Sequence, residues 1–294
     1  MEKVNVAVAG ATGAVGEAML EILAERSFPA EQVFALASSR SVGKTVTYGD
    51  KSLRVTDLAE FDFSQAHIGL FSAGGSVSEV HAPRAAEAGC VVIDNTSHFR
   101  RDSEIPLIVP EVNPGHLGLI EDPSAGAILA NPNCSTMGIV LALAPLWEAF
   151  GIEAIHAVTL QALSGMGAAA PSVSEFAGSV SPSIPGEEEK IESETCRILG
   201  RLDGGRVRHA SIKVAATTNR VAVADGHTAC VSVALQGAVS RAQILEAWQD
   251  YSSTPQELEL PSAPQRPVVW LEGEEVPRPD LHVDTAQGMA VTVG

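Results

Sequence analysis

The opening run "VNVAVAGATGAVGEAM" does most to limit what this chain can fold into. An apolar stretch breaks at Gly10, Gly13 and Gly16 come next, and a helix-like "GAVGEAMLEILAERS" begins there. Glycine at a strand-to-helix turn permits a tight bend and close approach of a phosphate, whose charge then meets the helix N-terminus. Placed after the first strand, the G-x-x-G-x-x-G spacing predicts a dinucleotide-binding βαβ unit.

The same grammar continues through the first half of the chain. "VFALAS", "HIGLFSA", "VVIDN", "LIVPEVN" and "AILANP" read as short apolar strands, "VSEVHAPRAAEAG" as a helix, and "KTVTYGDKSLRVTD" as a small hairpin excursion. Near-continuous apolar strands separated by helices indicate a parallel sheet covered on both faces. From about Ile152 the strands lengthen, in "IEAIHAVTLQAL", "VRHASIKVAATTNRVAV" and "HTACVSVALQG". They alternate with the helical "GEEEKIESETCRILG" and "SRAQILEAWQDY", which suggests a second, α+β domain with a mixed sheet. The expected fold class is therefore α/β, with a Rossmann-like parallel-sheet domain over residues 1–132 and an α+β domain over residues 133–294.

The second strand ends in "ALASSRSVGK", with Ser38, Ser39 and Arg40 where a ribose-binding carboxylate would stand. Hydroxyls and a guanidinium suit a 2′-phosphate, so NADP is expected rather than NAD. The net charge of −17 argues against sequence-independent binding to nucleic acid but leaves room for an anionic small substrate in one basic cleft. No apolar run reaches membrane-spanning length and the polar opening is no signal peptide, so a cytoplasmic protein is expected, with no membrane partner. The four cysteines lie far apart without a CxxC pair, which argues against a disulfide framework or a structural zinc site, and no metal is expected. Cys90, Cys196 and Cys230 read as small core residues.

Cys134 is different. In "LANPNCSTMGIVLALAPL" it stands among Asn131, Asn133, Ser135 and Thr136, at the point where the pattern turns helical. A helix N-terminus favours thiolate, so the residue reads as a nucleophile. On a dinucleotide fold, that implies oxidation of an aldehyde, or the reverse, through a thioester, with an acid–base group and a means of holding the oxyanion. Of the eight histidines, His67, His81, His116 and His156 read as structural, and His98 lies near a candidate site loop. His227 ends a glycine turn between two strands, downstream of Arg220.

Ten segments, "GATGAVG", "SSRSVGK", "FSAGGSVS", "VIDNTSHFR", "PLIVPEVN", "ANPNCST", "QALSGMG", "EEEK", "RVAVADGHT" and "GMAVTVG", together cover nearly the whole chain. In that order they resemble the aspartate-β-semialdehyde dehydrogenase family. The resemblance implies reversible, NADP-dependent reductive dephosphorylation of aspartyl β-phosphate to aspartate β-semialdehyde, in the biosynthesis of lysine, threonine and methionine. It implies that Cys134 is the nucleophile, His227 the general acid/base, Gln161 an orienting group for the thioester and Asn133 a helper at the oxyanion. Arg220 would grip the substrate carboxylate, Glu187 would face its amino group, and Arg100 and Lys190 would bind phosphate. The cofactor would be held by Gly10, Thr12, Gly13, Ala14, Val15, Gly16, Ser38, Ser39, Arg40, Ser72, Ala73, Gly74, Ser164 and Gly165. The second domain would be catalytic and would form a homodimer.

The chain also departs from that family. It is shorter between Gly167 and Glu187, and it stops at Gly294, where the family continues into a closing segment. The family's "RVPV" and "GHSE" stand as "RVAV" and "GHTA". These departures leave two rival expectations: a non-catalytic dinucleotide-binding homologue, and a reductase of the N-acetyl-glutamyl-phosphate type, whose relatives lack the "NPNCST" form. On the residues alone, "EEEK" also reads as a solvated helix face.

Overall fold

A computed structural model describes residues 3–273 and 275–294. The chain divides into two compact units, residues 1–107 with 117–132, and residues 108–116 with 133–294. The short stretch 108–116 thus groups with the later unit, although a single cut after residue 132 assigns it to the earlier one.

The first unit contains β1 (Val4–Ala9), α1 (Ala14–Glu25), β2 (Ala30–Ala37), β3 (Thr45–Tyr48), β4 (Lys51–Arg54), β5 (Thr56–Asp57), β6 (Ile68–Phe71), α2 (Gly75–Glu87), β7 (Val91–Asp94) and β8 (Ala127–Ala130). Six strands form one sheet in the order β5-β2-β1-β6-β7-β8, every pair parallel. The chain leaves β1 for β2 on one side and returns to β6 on the other. The C-terminal end of β1 is therefore a topological switch point, where such sheets bind ligands. Behind it, Val6, Val8, Leu20, Ala35 and Ala37 form a buried cluster. The antiparallel β3–β4 hairpin adds Val46 to that cluster.

One expected strand is absent. In "LIVPEVN", Leu107 makes an isolated bridge to Ala130, and the N–H groups of Val112 and Asn113 both return to Val109 O. Pro106 and Pro110 carry no N–H, so the run cannot sustain a ladder and becomes a turn.

The second unit contains α3 (Cys134–Phe150), β9 (Ile152–Gln161), α4 (Val173–Phe176), α5 (Glu187–Ile198), β10 (Arg201–Asp203), β11 (Arg206–Arg208), β12 (Lys213–Arg220), β13 (Thr228–Leu235), α6 (Arg241–Gln249), α7 (Thr254–Glu257), β14 (Val268–Trp270), α8 (Pro279–His282) and β15 (Val291–Val293). Its main sheet, β12-β9-β13, is mixed: β9 pairs with β12 in parallel and with β13 antiparallel. Along β9, Ile155, Ala157, Thr159 and Gln161 are buried, while His156 is exposed on the other face. Cys230 pairs with Val158 and so falls on that other face. It is exposed rather than a core residue, because the two-residue period of an edge strand carries it away from the helix-covered side. Among the described residues, no helix is long and apolar enough to cross a membrane.

Candidate active site

Cys134 is the first residue of α3 and is exposed. The residue before it caps the helix: Asn133 Oδ1 accepts from the N–H groups of Ser135 at 3.0 Å and Thr136 at 3.2 Å. A side-chain oxygen here satisfies donors that no helical carbonyl can reach. The Cys134 sulfur lies 3.2 Å from His227 Nε2. On the far side of the ring, His227 Nδ1 accepts the Ala162 N–H at 3.0 Å. With Nδ1 accepting, the neutral imidazole carries its proton on Nε2, facing the sulfur. Burial first, then the Arg220 charge, pushes this imidazole below the ordinary histidine value, against the opposing charge of Glu187.

Strand register assembles the rest. Parallel pairing sets Arg220 beside Gln161 at the C-terminal ends of β12 and β9. The antiparallel pairing of Thr228 with Leu160 brings His227 to the same edge. Arg220 Nη1 donates to Ala162 O at 2.7 Å, so one residue, Ala162, holds both the guanidinium and the imidazole. Gly165 completes the fit, because a Cβ there would stand 2.7 Å from Arg220 Nη1 and 3.1 Å from His227 Cε1.

The "EEEK" segment is no solvated face. Glu187 is buried at the start of α5 and accepts from Lys190 Nζ at 2.6 Å and Asn133 Nδ2 at 2.8 Å. A longer contact from Gln161 Nε2 measures 3.4 Å. Burial pushes the Glu187 carboxyl up, but the bonds from Lys190 and Asn133 and the Lys190 charge outweigh it and hold the group below its ordinary value. Glu188 accepts from the N–H and hydroxyl of Thr218. Sequence reasoning missed Glu194, whose buried carboxylate accepts the Asn133 N–H at 2.6 Å. The available signal was periodicity: Glu187, Ile191, Glu194 and Ile198 form one buried stripe, so two carboxylates occupy apolar positions of an amphipathic helix.

Cys134, His227, Gln161, Asn133, Glu187, Lys190, Arg220, Ser164 and Gly165 all belong to the second unit. Cys134, Ser164 and His227 line a cavity of about 740 Å³, within the range of small-molecule sites. Arg100 belongs to the first unit, where Nε donates to Asn131 O and Nη2 to Asn95 O.

The glycine turn also lies in the first unit. Gly10 has φ +91°, and a Cβ on Gly16 would stand 2.1 Å from Gly10 O. Gly13, the residue before α1, provides no side-chain cap, so the N–H groups of Ala14, Val15 and Gly16 are offered by main chain alone. Gly74 likewise precedes α2 without a side-chain cap, after Ser72 and Ala73. At the end of β2, Ser38, Ser39 and Arg40 are exposed, on a short 3-10 turn. Two glycine-led helix starts and a nearby exposed cation fit a dinucleotide phosphate.

Residues 5–120 match the family described as "Semialdehyde dehydrogenase, NAD binding domain", and residues 143–294 match "Semialdehyde dehydrogenase, dimerisation domain". Aspartate-semialdehyde dehydrogenase 2 of Vibrio cholerae is 42% identical over 267 residues, covering 83% of this chain and 78% of the relative. The crystal structure of Vibrio cholerae aspartate semialdehyde dehydrogenase II complexed with ASA has a TM-score of 0.80 at 38% identity, over 95% of this chain and 84% of that one. The structure of aspartate semialdehyde dehydrogenase with NADP from Candida albicans has a TM-score of 0.88 at 32% identity, over 99% of this chain and 88% of that one. With both domain matches in sequence order and the fold shared across nearly its whole length, this chain belongs to the aspartate-semialdehyde dehydrogenase family.

Proposed function

We propose that this protein is an NADP-dependent aspartate-semialdehyde dehydrogenase that works through a thioester on Cys134. The observation that carries the reading is the 3.2 Å contact between Cys134 Sγ and His227 Nε2 at the first residue of α3. Gln161, Arg220 and Glu187 belong to the same unit. In the reductive direction the thiolate attacks the carbonyl carbon of aspartyl β-phosphate, and the carbon–oxygen bond to phosphate breaks as the carbon–sulfur bond forms. When bound, the cofactor supplies a hydride for the thioester. Collapse of the hemithioacetal then releases the aldehyde and returns the electron pair to sulfur.

Each side chain has work suited to its chemistry. Arg220 offers a bidentate partner to the α-carboxylate. Glu187 offers a carboxylate to the ammonium, and Lys190, its present ion partner, turns to phosphate together with Arg100. His227 Nε2–H stabilises thiolate and oxyanion by donation. To act as a general base the ring must first release the Ala162 N–H from Nδ1. Asn133 holds the helix start and offers its amide toward the oxyanion. NADP would be held by the Gly10–Gly16 turn, with Ser38, Ser39 and Arg40 at the 2′-phosphate. The matched dimerisation domain and the open outer face of β12-β9-β13 support a homodimer. Sedimentation at micromolar concentration tests this, and a monomer there would remove it.

NADP reduction followed by absorbance, with aspartate semialdehyde and phosphate, tests the reaction. Phosphate-dependent turnover with NADP, lost in Cys134→Ala while cofactor binding remains, supports the reading. Cofactor binding without turnover would indicate a binding homologue, and preference for N-acetyl-glutamate semialdehyde would shift the substrate assignment. Arg40→Ala should remove most of the preference for NADP over NAD, by about ten- to a hundredfold in affinity.

A further inference from the structure

Asn133 has little freedom in this structure. Its N–H goes to Glu194 at 2.6 Å, its Nδ2 to Glu187 at 2.8 Å, and its Oδ1 to the N–H groups of Ser135 and Thr136. Both carboxylates come from α5, two turns apart on its buried stripe. Burying a carboxylate is costly unless it is hydrogen-bonded, and the N–H of buried Asn133 needs an acceptor that a neutral group could supply. Spending Glu194 there makes sense if the backbone immediately before the nucleophile has to be held still. Resting on the reading of Cys134 as nucleophile, we propose that Glu194 is a positioning residue, clamping the Asn133 main chain so that the first turn of α3 holds Cys134 against His227.

Glu194 acts through Asn133, whose main-chain N–H its carboxylate accepts. A displacement of about 1 Å at a reacting group can cost about a hundredfold in rate, so loss of the clamp should appear in kcat rather than in KM. It should also alter the reactivity of the thiol itself, which needs no substrate to measure. Free N-acetylcysteine labelled in parallel supplies the reference, since Cys230 lies on the sheet face proposed to pair in the homodimer. Glu188 supplies a control on the same helix, since it bonds Thr218 and makes no bond to Asn133.

The test combines kinetics with iodoacetamide labelling of the full chain as a function of pH, read peptide by peptide. Glu194→Leu removes the acceptor at similar volume. It should lower kcat about ten- to a hundredfold and change the pH profile of Cys134 labelling, with KM close to the parent. Glu194→Gln keeps an acceptor oxygen and should restore most of both. Glu188→Leu should lower Tm and leave the Cys134 profile unchanged. If Glu194→Leu does not fold, Glu194→Asp, which withdraws the acceptor by one methylene, takes its place. The proposal is overturned if the folded Leu or Asp variant keeps the parent kcat and Cys134 profile despite a lower Tm, or if Glu188→Leu changes that profile as much. Were the parent inactive on aspartate semialdehyde, the proposed reaction would fall, and the labelling comparison would still decide the clamp.

Discussion

Exposure alone does not single out the proposed nucleophile, because Cys134 and Cys230 are both exposed. Burial pushes the Cys90 thiol up to about 12 and raises that of Cys196, so neither should react at neutral pH. Only Cys134 has a helix N-terminus and an imidazole against its sulfur. Iodoacetamide at neutral pH should therefore label Cys134 first, with loss of turnover tracking that label, and Cys230 more slowly. Peptide mapping showing loss of turnover tied to Cys230 would reverse the assignment. Gly165 allows a second test at this scale. Gly165→Ala places a methyl 2.7 Å from Arg220 Nη1, and the guanidinium must yield. kcat/KM for aspartate semialdehyde should fall about ten- to a hundredfold, as for a lost charge-assisted bond, with Tm little changed. The position of Cys134 at a helix start was legible in the sequence because its signals are local: small polar neighbours and the onset of a helix. For Glu194 periodicity could announce burial on α5, but not its partner, which is a main-chain N–H in a distant segment.

Among the elements, β1, α1, β2, β6, α2, β7 and β8 could be read from apolar runs and glycine turns, as could the long strands of the second unit. "LIVPEVN" could not, since its apolar content favoured a strand while Pro110 within it and Pro106 just before it removed donors that a strand needs. The "EEEK" helix looks solvated in sequence for the opposite reason: the charges of Glu187 and Glu188 are paired by Lys190, Asn133 and Thr218. The glycines at the β1–α1 turn also differ in ways that their regular spacing hides. A Cβ on Gly16 would stand 2.1 Å from the Gly10 carbonyl oxygen, which is main chain and cannot step aside, whereas a Cβ on Gly13 would meet that oxygen at 3.4 Å. Gly16→Ala should lower stability by about 1–3 kcal/mol and abolish NADP binding. Gly13→Ala should be tolerated in folding. Calorimetric binding of NADP with parallel melting curves checks both, and equal behaviour of the two variants would show that spacing, not close approach, sets the requirement.

At the scale of the whole molecule, two effects of acid oppose one another. With 36 acidic against 19 basic residues, the chain repels itself at neutral pH, and protonation should relieve that repulsion. Against this, burial holds His81, His116 and His227 below the ordinary histidine value, helped at His81 by Arg84, at His116 by Arg197 and at His227 by Arg220. Proton counts give the sign of their effect. Below the unfolded histidine value of about 6.5, the unfolded chain takes up protons that these three native imidazoles refuse, so they cost stability as pH falls from there toward their lowered native values. Glu111 and Glu148 are raised by burial and act the other way, binding protons in the native state before the unfolded chain does. Surface repulsion is screened at moderate salt, where the Debye length is about 8 Å, while buried His116 is screened far less and half-buried His81 and His227 somewhat less. In about 0.15 M salt the histidines should therefore win, and the urea midpoint should fall between about pH 7.5 and 5.5. His116 gives the sharper check, because both ring nitrogens are engaged, Nδ1 with Asn113 Nδ2 at 2.9 Å and Nε2 with Gly200 O at 3.2 Å. Protonation would put a second donor where Asn113 already donates. His116→Gln should be less stable at neutral pH yet lose less stability on acidification than the parent. A parent midpoint that rises on acidification at that salt would mean that relief of the net negative charge outweighs the buried imidazoles.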